Sequence, residues 1–103
     1  MSGTFSYKLT TENELFTFDF SPIIATTEVI NSATCTVQVK DGSDSNPNDI
    51  LVGSPAINGA LVVQRVSGGL NGVTYRLEMT VTTSLTNVYT LVGDLPVYTP
   101  LEV

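Results

Sequence analysis

Apolar and polar residues alternate with a period of two through most of this chain, and that pattern demands extended backbone. Leu15 to Phe20 sets Phe16, Phe18 and Phe20 on one face, with Thr17 and Asp19 opposite. Successive strand side chains point to opposite faces, so this is the signature of a half-buried strand, and three Phe in one stripe mark a core. Ala33, Cys35, Val37 and Val39 alternate in the same way with Thr34, Thr36, Gln38 and Lys40. Tyr75, Leu77, Met79 and Val81 do so with Arg76, Glu78, Thr80 and Thr82, and Phe5, Tyr7 and Leu9 with Ser6, Lys8 and Thr10. Composition agrees: 15 Thr and 13 Val, against 4 Ala, 5 Glu, 2 Lys and 2 Gln. β-branched side chains suit a pleated surface, and the scarce residues are the good helix formers.

Turn formers punctuate the alternation. The run Asp41 to Asp49 is a polar loop, followed by short strands around 50–52 and 56–57. Asn58-Gly59 is read as the centre of a two-residue hairpin leading into 60–66, where Val62 and Val66 face inward and Arg65 outward. Ser67 to Gly72 is a second glycine-rich turn, and Thr83 to Asn87 precedes a last strand over 88–97. Pro96 in that strand argues for an edge or a strand end. About seven short strands at regular spacing, with no helix between them, predict an all-β fold. Parallel pairing would need crossovers of a dozen or more residues, so an antiparallel immunoglobulin-like β-sandwich is expected. One such domain is expected over 1–97, with 1–14 as an N-terminal arm or a first strand and 98–103 as a C-terminal tail.

The same composition excludes much chemistry. With no His there is no Ser-His-Asp triad, no Cys-His pair and no imidazole metal ligand. Four cations against ten acids, a formal charge of −6, cannot supply the phosphate contacts of a nucleic-acid binder. No apolar run reaches a membrane span, no secretory signal or glycosylation sequon is visible, and the lone Cys35 fits synthesis in a reducing cytoplasm.

Individual motifs have structural readings. Gly69 to Leu77 looks like a tyrosine corner, in which Tyr75 returns its hydroxyl to the backbone upstream. A phosphate cradle fails there for want of a following helix and Lys. Asp44, Asn46 and Asn48 fall on alternate positions as in an EF-hand loop, but Pro47 interrupts it, Asp49 replaces the sixth-position Gly and Pro55 the final Glu. The loop is therefore read as a solvated turn, a low-affinity calcium site in 41–49 being the alternative. Glu12 and Glu14 fall in a linker, and Asp19, Glu28, Glu78 and Asp94 are read as single outward or turn carboxylates. Cys35 lies mid-stripe and is read as an inert core thiol. No catalytic, cofactor-binding or metal residue is assigned, and the protein is not expected to be an enzyme.

From Phe16 to Val97 several runs carry a wider likeness: Leu15 to Phe20, Ile30 to Val37, the 44–51 loop, Gln64 to Gly69, Gly72 to Leu77, Thr82-Thr83-Ser84 and Leu95-Pro96-Val97. Together they resemble a group of small tailed-bacteriophage virion proteins with one immunoglobulin-like domain, of the fiber-tail adaptor or head-tail accessory type. Cys35 stands where such proteins often carry Trp, and Leu85-Thr86 where they often carry Gly-Arg. The resemblance implies a multi-copy structural protein of the virion, at the head-tail connector or tail, contacting connector, tail or capsid subunits in a symmetric assembly. It implies synthesis in the bacterial host cytoplasm and no nucleic-acid or membrane partner. Segments 2–14 and 97–103, with Phe5, Tyr7, Leu9, Tyr98, Leu101 and Val103, are the expected contact arms, ordinary edge strands being the alternative. The competing function is a capsid decoration or adhesion module binding the host surface or glycans, with Tyr89 and Tyr98 as its platforms.

Overall fold

A computed structural model of the protein describes residues 2–102, with side chains over 5–101. Its strands are β1 (Ser2–Thr4), β2 (Lys8–Leu9), β3 (Asn13–Asp19), β4 (Ile30–Asp41), β5 (Leu51–Asn58), β6 (Leu61–Ser67), β7 (Val73–Thr83) and β8 (Val88–Tyr98). One sheet runs β3-β6-β5, and the other runs β4-β7-β8 with β1 and β2 along the outer edge of β8. The six long strands thus face each other in the order of an immunoglobulin-type sandwich. A 3-10 turn, Pro47–Ile50, carries the chain from β4 in one sheet to β5 in the other.

The period-two stripes close the core. Phe16, Phe18 and Phe20 with Val62 and Val66 meet Tyr75, Leu77, Met79 and Val81 across the sandwich, all buried. Val37 and Cys35 of β4 and Leu91, Leu95 and Val97 of β8 complete it. The register Phe18↔Val62 and Leu77↔Val37 keeps every inward residue on the inner face of its sheet.

Parallel pairing is present, contrary to the expectation of a purely antiparallel fold. β1 and β2 run parallel to β8, with Gly3 opposite Gly93 and Lys8 opposite Val97. The crossover limit governs strands adjacent in sequence, whereas here the whole sandwich forms the connection. Pro96 follows from this arrangement. Asp94 and Tyr98 aim their carbonyls at Phe5 and Thr10, so Pro96 between them turns its nitrogen to the same side. There, 5–7 leave the ladder, and no N–H is needed.

The alternation at 4–10 does not place Tyr7 inside. Tyr7 is exposed and Lys8 is fully buried, while Phe5 reaches the core from the gap between β1 and β2. Lys8 lies under the 67–72 turn, where its Nζ donates to the Gly68 carbonyl at 2.5 Å and the Leu9 carbonyl at 2.8 Å. Its apolar stem fills space and its head satisfies a turn carbonyl. Burial pushes its pKa below the ordinary value, with Glu12 and Glu14 opposing.

Two details of the second sheet also differ from expectation. The segments at 50–52 and 56–57 are one strand, with a register shift between Val52 and Ala56 where Gly53 takes φ +69°. Buried Gln64 bridges this irregularity, its Nε2 donating to the Val52 and Gly53 carbonyls. The hairpin turns on Gly59-Ala60 rather than Asn58-Gly59, because Asn58 still pairs with Leu61. Only Gly59 takes positive φ, +62°, as a type II′ turn needs at its first central residue.

Candidate interaction surfaces

Tyr75 forms the tyrosine corner. Its buried hydroxyl accepts from the Leu70 N–H at 2.9 Å and donates to Asp44 Oδ2 at 2.7 Å. Gly69, at φ +102°, lies so close that a Cβ there would meet Val97 Cγ1 at 3.1 Å and the Tyr75 ring at 3.3 Å. Burial, and then the Asp44 carboxylate, push the Tyr75 pKa to about 12. Asp44 Oδ1 accepts from the Asn46 N–H, and Asn48 Oδ1 accepts from the Val37 N–H on the open edge of β4. These oxygens therefore hold the 41–50 loop to the sandwich. Among the described residues no three His, Cys, Asp or Glu side chains gather as metal ligands.

Asp94 is not a lone outward carboxylate. Register places it opposite Arg76, whose Nε lies 2.9 Å from Oδ1, and Lys40 Nζ reaches Oδ2 at 2.5 Å. The Arg76 hydrogen bond, helped by Lys40, holds the buried carboxyl at about 2. Arg65 donates to Asn13 Oδ1, so all four basic side chains are committed within the protein. The acids therefore dominate the charged surface.

Glu28 likewise departs from its sequence reading. It is 5 % exposed and ties together two loops at one end of the sandwich. Oε1 accepts from the Ala25 N–H at 3.0 Å; Oε2 accepts from the Thr83 hydroxyl and from Asn87 Nδ2 at 3.0 Å. These bonds hold its pKa below the ordinary carboxylate value. The Ser84 N–H donates to the Val29 carbonyl at 2.8 Å, and the Val29 N–H to Ser84 Oγ at 3.1 Å. Around this network the 20–29 connection, the Gly59-Ala60 turn and the 83–88 turn form one loop end, with Val29, Leu85 and Val88 exposed on it. No local spacing marks Glu28 in the sequence, since Thr83 and Asn87 lie 55 and 59 residues away.

At the opposite end Tyr7 and Tyr98 stack edge to face at 6.1 Å, and Leu101 is 97 % exposed. Tyr89, offered with Tyr98 as a sugar platform, instead packs half-buried against the core at the far end of β8. The two rings cannot form one platform. Cys35 is buried, and burial pushes its thiol to about 12, out of nucleophilic range. Glu14 belongs to β3 rather than a linker, and Glu12 accepts from the Leu9 N–H at 2.8 Å to close the turn before it.

The arrangement offers rigid surfaces and loop ends, and Glu12, Asp19, Glu28, Asp44 and Asp94 are engaged by structural partners. No curated protein matches the sequence. A family model does, over residues 8–92, which runs from the buried Lys8 past both loop ends and into β8. With most of its length matched, this chain belongs to the podophage GP4 fiber-tail adaptor protein gp77 family.

Proposed function

We propose that the protein joins a fiber to the podophage tail, present in several copies set by the symmetry of the tail and acting through protein–protein contacts alone. Its tail-associated structural role follows from the family, which points away from enzymatic activity. The family match is the observation that carries the finer reading, because an adaptor must contact two different neighbours. The structure supports it: an elongated body, 47 × 21 × 19 Å, offers a loop end at each extreme. A cornered Tyr75 and loops tied by Glu28 make a stiff spacer rather than a flexible linker.

Deletion of the gene tests this directly. Particles made without the protein should assemble heads and tails yet carry few fibers, and supplying the protein in trans should restore them. A full fiber complement on the deleted particles would overturn the assignment.

A further inference from the structure

One side of each of β3, β4 and β5 is unpaired among the described residues. A free edge presents open N–H and C=O groups, and proteins that keep such an edge to themselves blunt it with charge, proline or a bulge. β3 carries Glu14 and Asp19, and β5 carries Pro55 beside its register shift at Gly53. From Ser32 to Val39, β4 has no charge, no proline and no break in register. The Val37 N–H, which Asn48 Oδ1 meets at 2.8 Å, shows which groups of β4 point to the open side. By strand alternation the N–H and C=O of Ala33 and Cys35 point there too. Neither of those N–H groups has a partner among the described residues. The inner face is unfinished at the same place. Ile57 of β5 pairs with buried Val62 and so faces inward, yet it is 40 % exposed, and inward-facing Ala33 is only half-buried. β5 runs alongside β4 in the facing sheet, so both residues open onto the gap between these two edges.

Resting on the adaptor reading, we propose that an extended segment of a neighbouring virion protein adds to the free edge of β4 as a further strand. It hydrogen-bonds to Ala33 and Cys35 and lays an apolar side chain over Ala33 and Ile57. The chemistry of the edge names its occupant. Backbone donors and acceptors at strand spacing are satisfied by another extended backbone, the recognition mode of β-augmentation. The side chain that covers Ile57 is apolar, because a charge laid there would lose water and meet no counter-charge. The architecture has room for this strand: β4, β7 and β8 hold the places of strands C, F and G, and variable-type immunoglobulin sandwiches add a strand beside C. The 41–50 loop closes the edge from Val37 onward, leaving Ser32 to Thr36 for the incoming segment. Charge disfavours a second copy as the occupant, since each chain carries −6 and its basic side chains are committed internally.

The test adds purified protein to particles produced without the gene and reads both incorporation and amide hydrogen exchange. Peptides spanning 31–37 should exchange roughly tenfold more slowly in the incorporated protein than in the free one, as the Ala33 and Cys35 amides gain acceptors. Ala33→Pro removes an outward N–H and sets its ring against the incoming strand, while sparing every bond to β7. It should cut incorporation, measured by quantitative immunoblot, by roughly tenfold or more at an unchanged unfolding temperature. If the proline lowers that temperature, Ala33→Lys carries the same expectation, an inward charge being a common guard of a free edge. A stably folded variant that incorporates like wild type overturns the proposal, as does unchanged exchange over 31–37 in the incorporated protein. Wild-type dimers that Ala33→Pro disperses, with incorporation intact, would assign the edge to a second copy, which also overturns it. Wild-type protein that never associates with particles would instead defeat the adaptor reading, and the proposal would fall with it.

Discussion

The Phe5 ring occupies the space that a side chain at Gly93 would take: a Cβ on Gly93 would collide with Phe5 Cε2 and sit 2.8 Å from Phe5 Cζ. Gly93 faces inward opposite Leu77, so its missing side chain opens a notch in β8. The Phe5 ring enters it and meets Phe16 at 4.9 Å and Phe18 edge-on at 5.4 Å. This contact, with the Phe5 N–H donating to the Asp94 carbonyl at 2.8 Å, locks the N-terminal segment onto the sandwich.

That contact sets up a double-mutant cycle. Phe5→Ala should destabilise by about 2–3 kcal/mol, less than for a fully buried ring. Gly93→Ala should cost a similar amount by expelling the ring. The double variant should fall short of their sum by about 1 kcal/mol or more, since each change removes the reason for the other. Urea unfolding measures all three, and simple additivity would place the ring outside the notch.

Tyr75→Phe should lower stability by about 1–3 kcal/mol, because the Leu70 N–H loses its acceptor and Asp44 its donor. Amide exchange should quicken in the 67–72 turn and the 41–50 loop together. Faster exchange in one of them alone would show that Tyr75 does not couple the two.

Acid should unfold the protein partly through Asp94. Its carboxyl is held at about 2 against an ordinary 3.8, chiefly by Arg76. The unfolded chain therefore takes up the proton first: this contribution is complete above about pH 4 and disappears as the pH falls toward 2. Its partners Lys40 and Arg76 are half-exposed, so solvent screening limits the effect to about 1 kcal/mol. Asp94→Asn should reduce stability at pH 7 and flatten its decline between pH 4 and 2. An unchanged acid slope would contradict this account.

Cys35 should resist alkylation in the folded protein at pH 8 and react, one equivalent per chain, once denatured. A native rate roughly a hundredfold below the denatured one is expected for a buried thiol held near 12. Rapid native labelling would mean that β4 opens readily.

Much of the fold is legible in the sequence because it rests on local period. The Phe16, Phe18 and Phe20 stripe and the Tyr75-to-Val81 stripe are each inward in full, and the Tyr75 corner lies where its flanking glycines place it. The same method misreads residues 4–10. An edge segment that leaves its ladder at 5–7 loses the strict two-residue period, so Lys8 turns in and Tyr7 out. It also misplaces the 58–61 hairpin by one residue, since cross-strand register rather than the Asn-Gly pair decides which residues turn.

By itself, then, the sequence determined the class of fold, the inward stripes and the absence of histidine and of a basic surface. Those depend on residue identity and near neighbours, which a strand presents in fixed alternation. The tertiary structure alone decided the pairings across long separations: Phe5 in the notch at Gly93, Lys8 beneath Gly68, Asp94 between Arg76 and Lys40, and Glu28 binding Thr83 and Asn87. Such relations follow from strand order and register, which arise when the two sheets close on a common core and are written in no single segment.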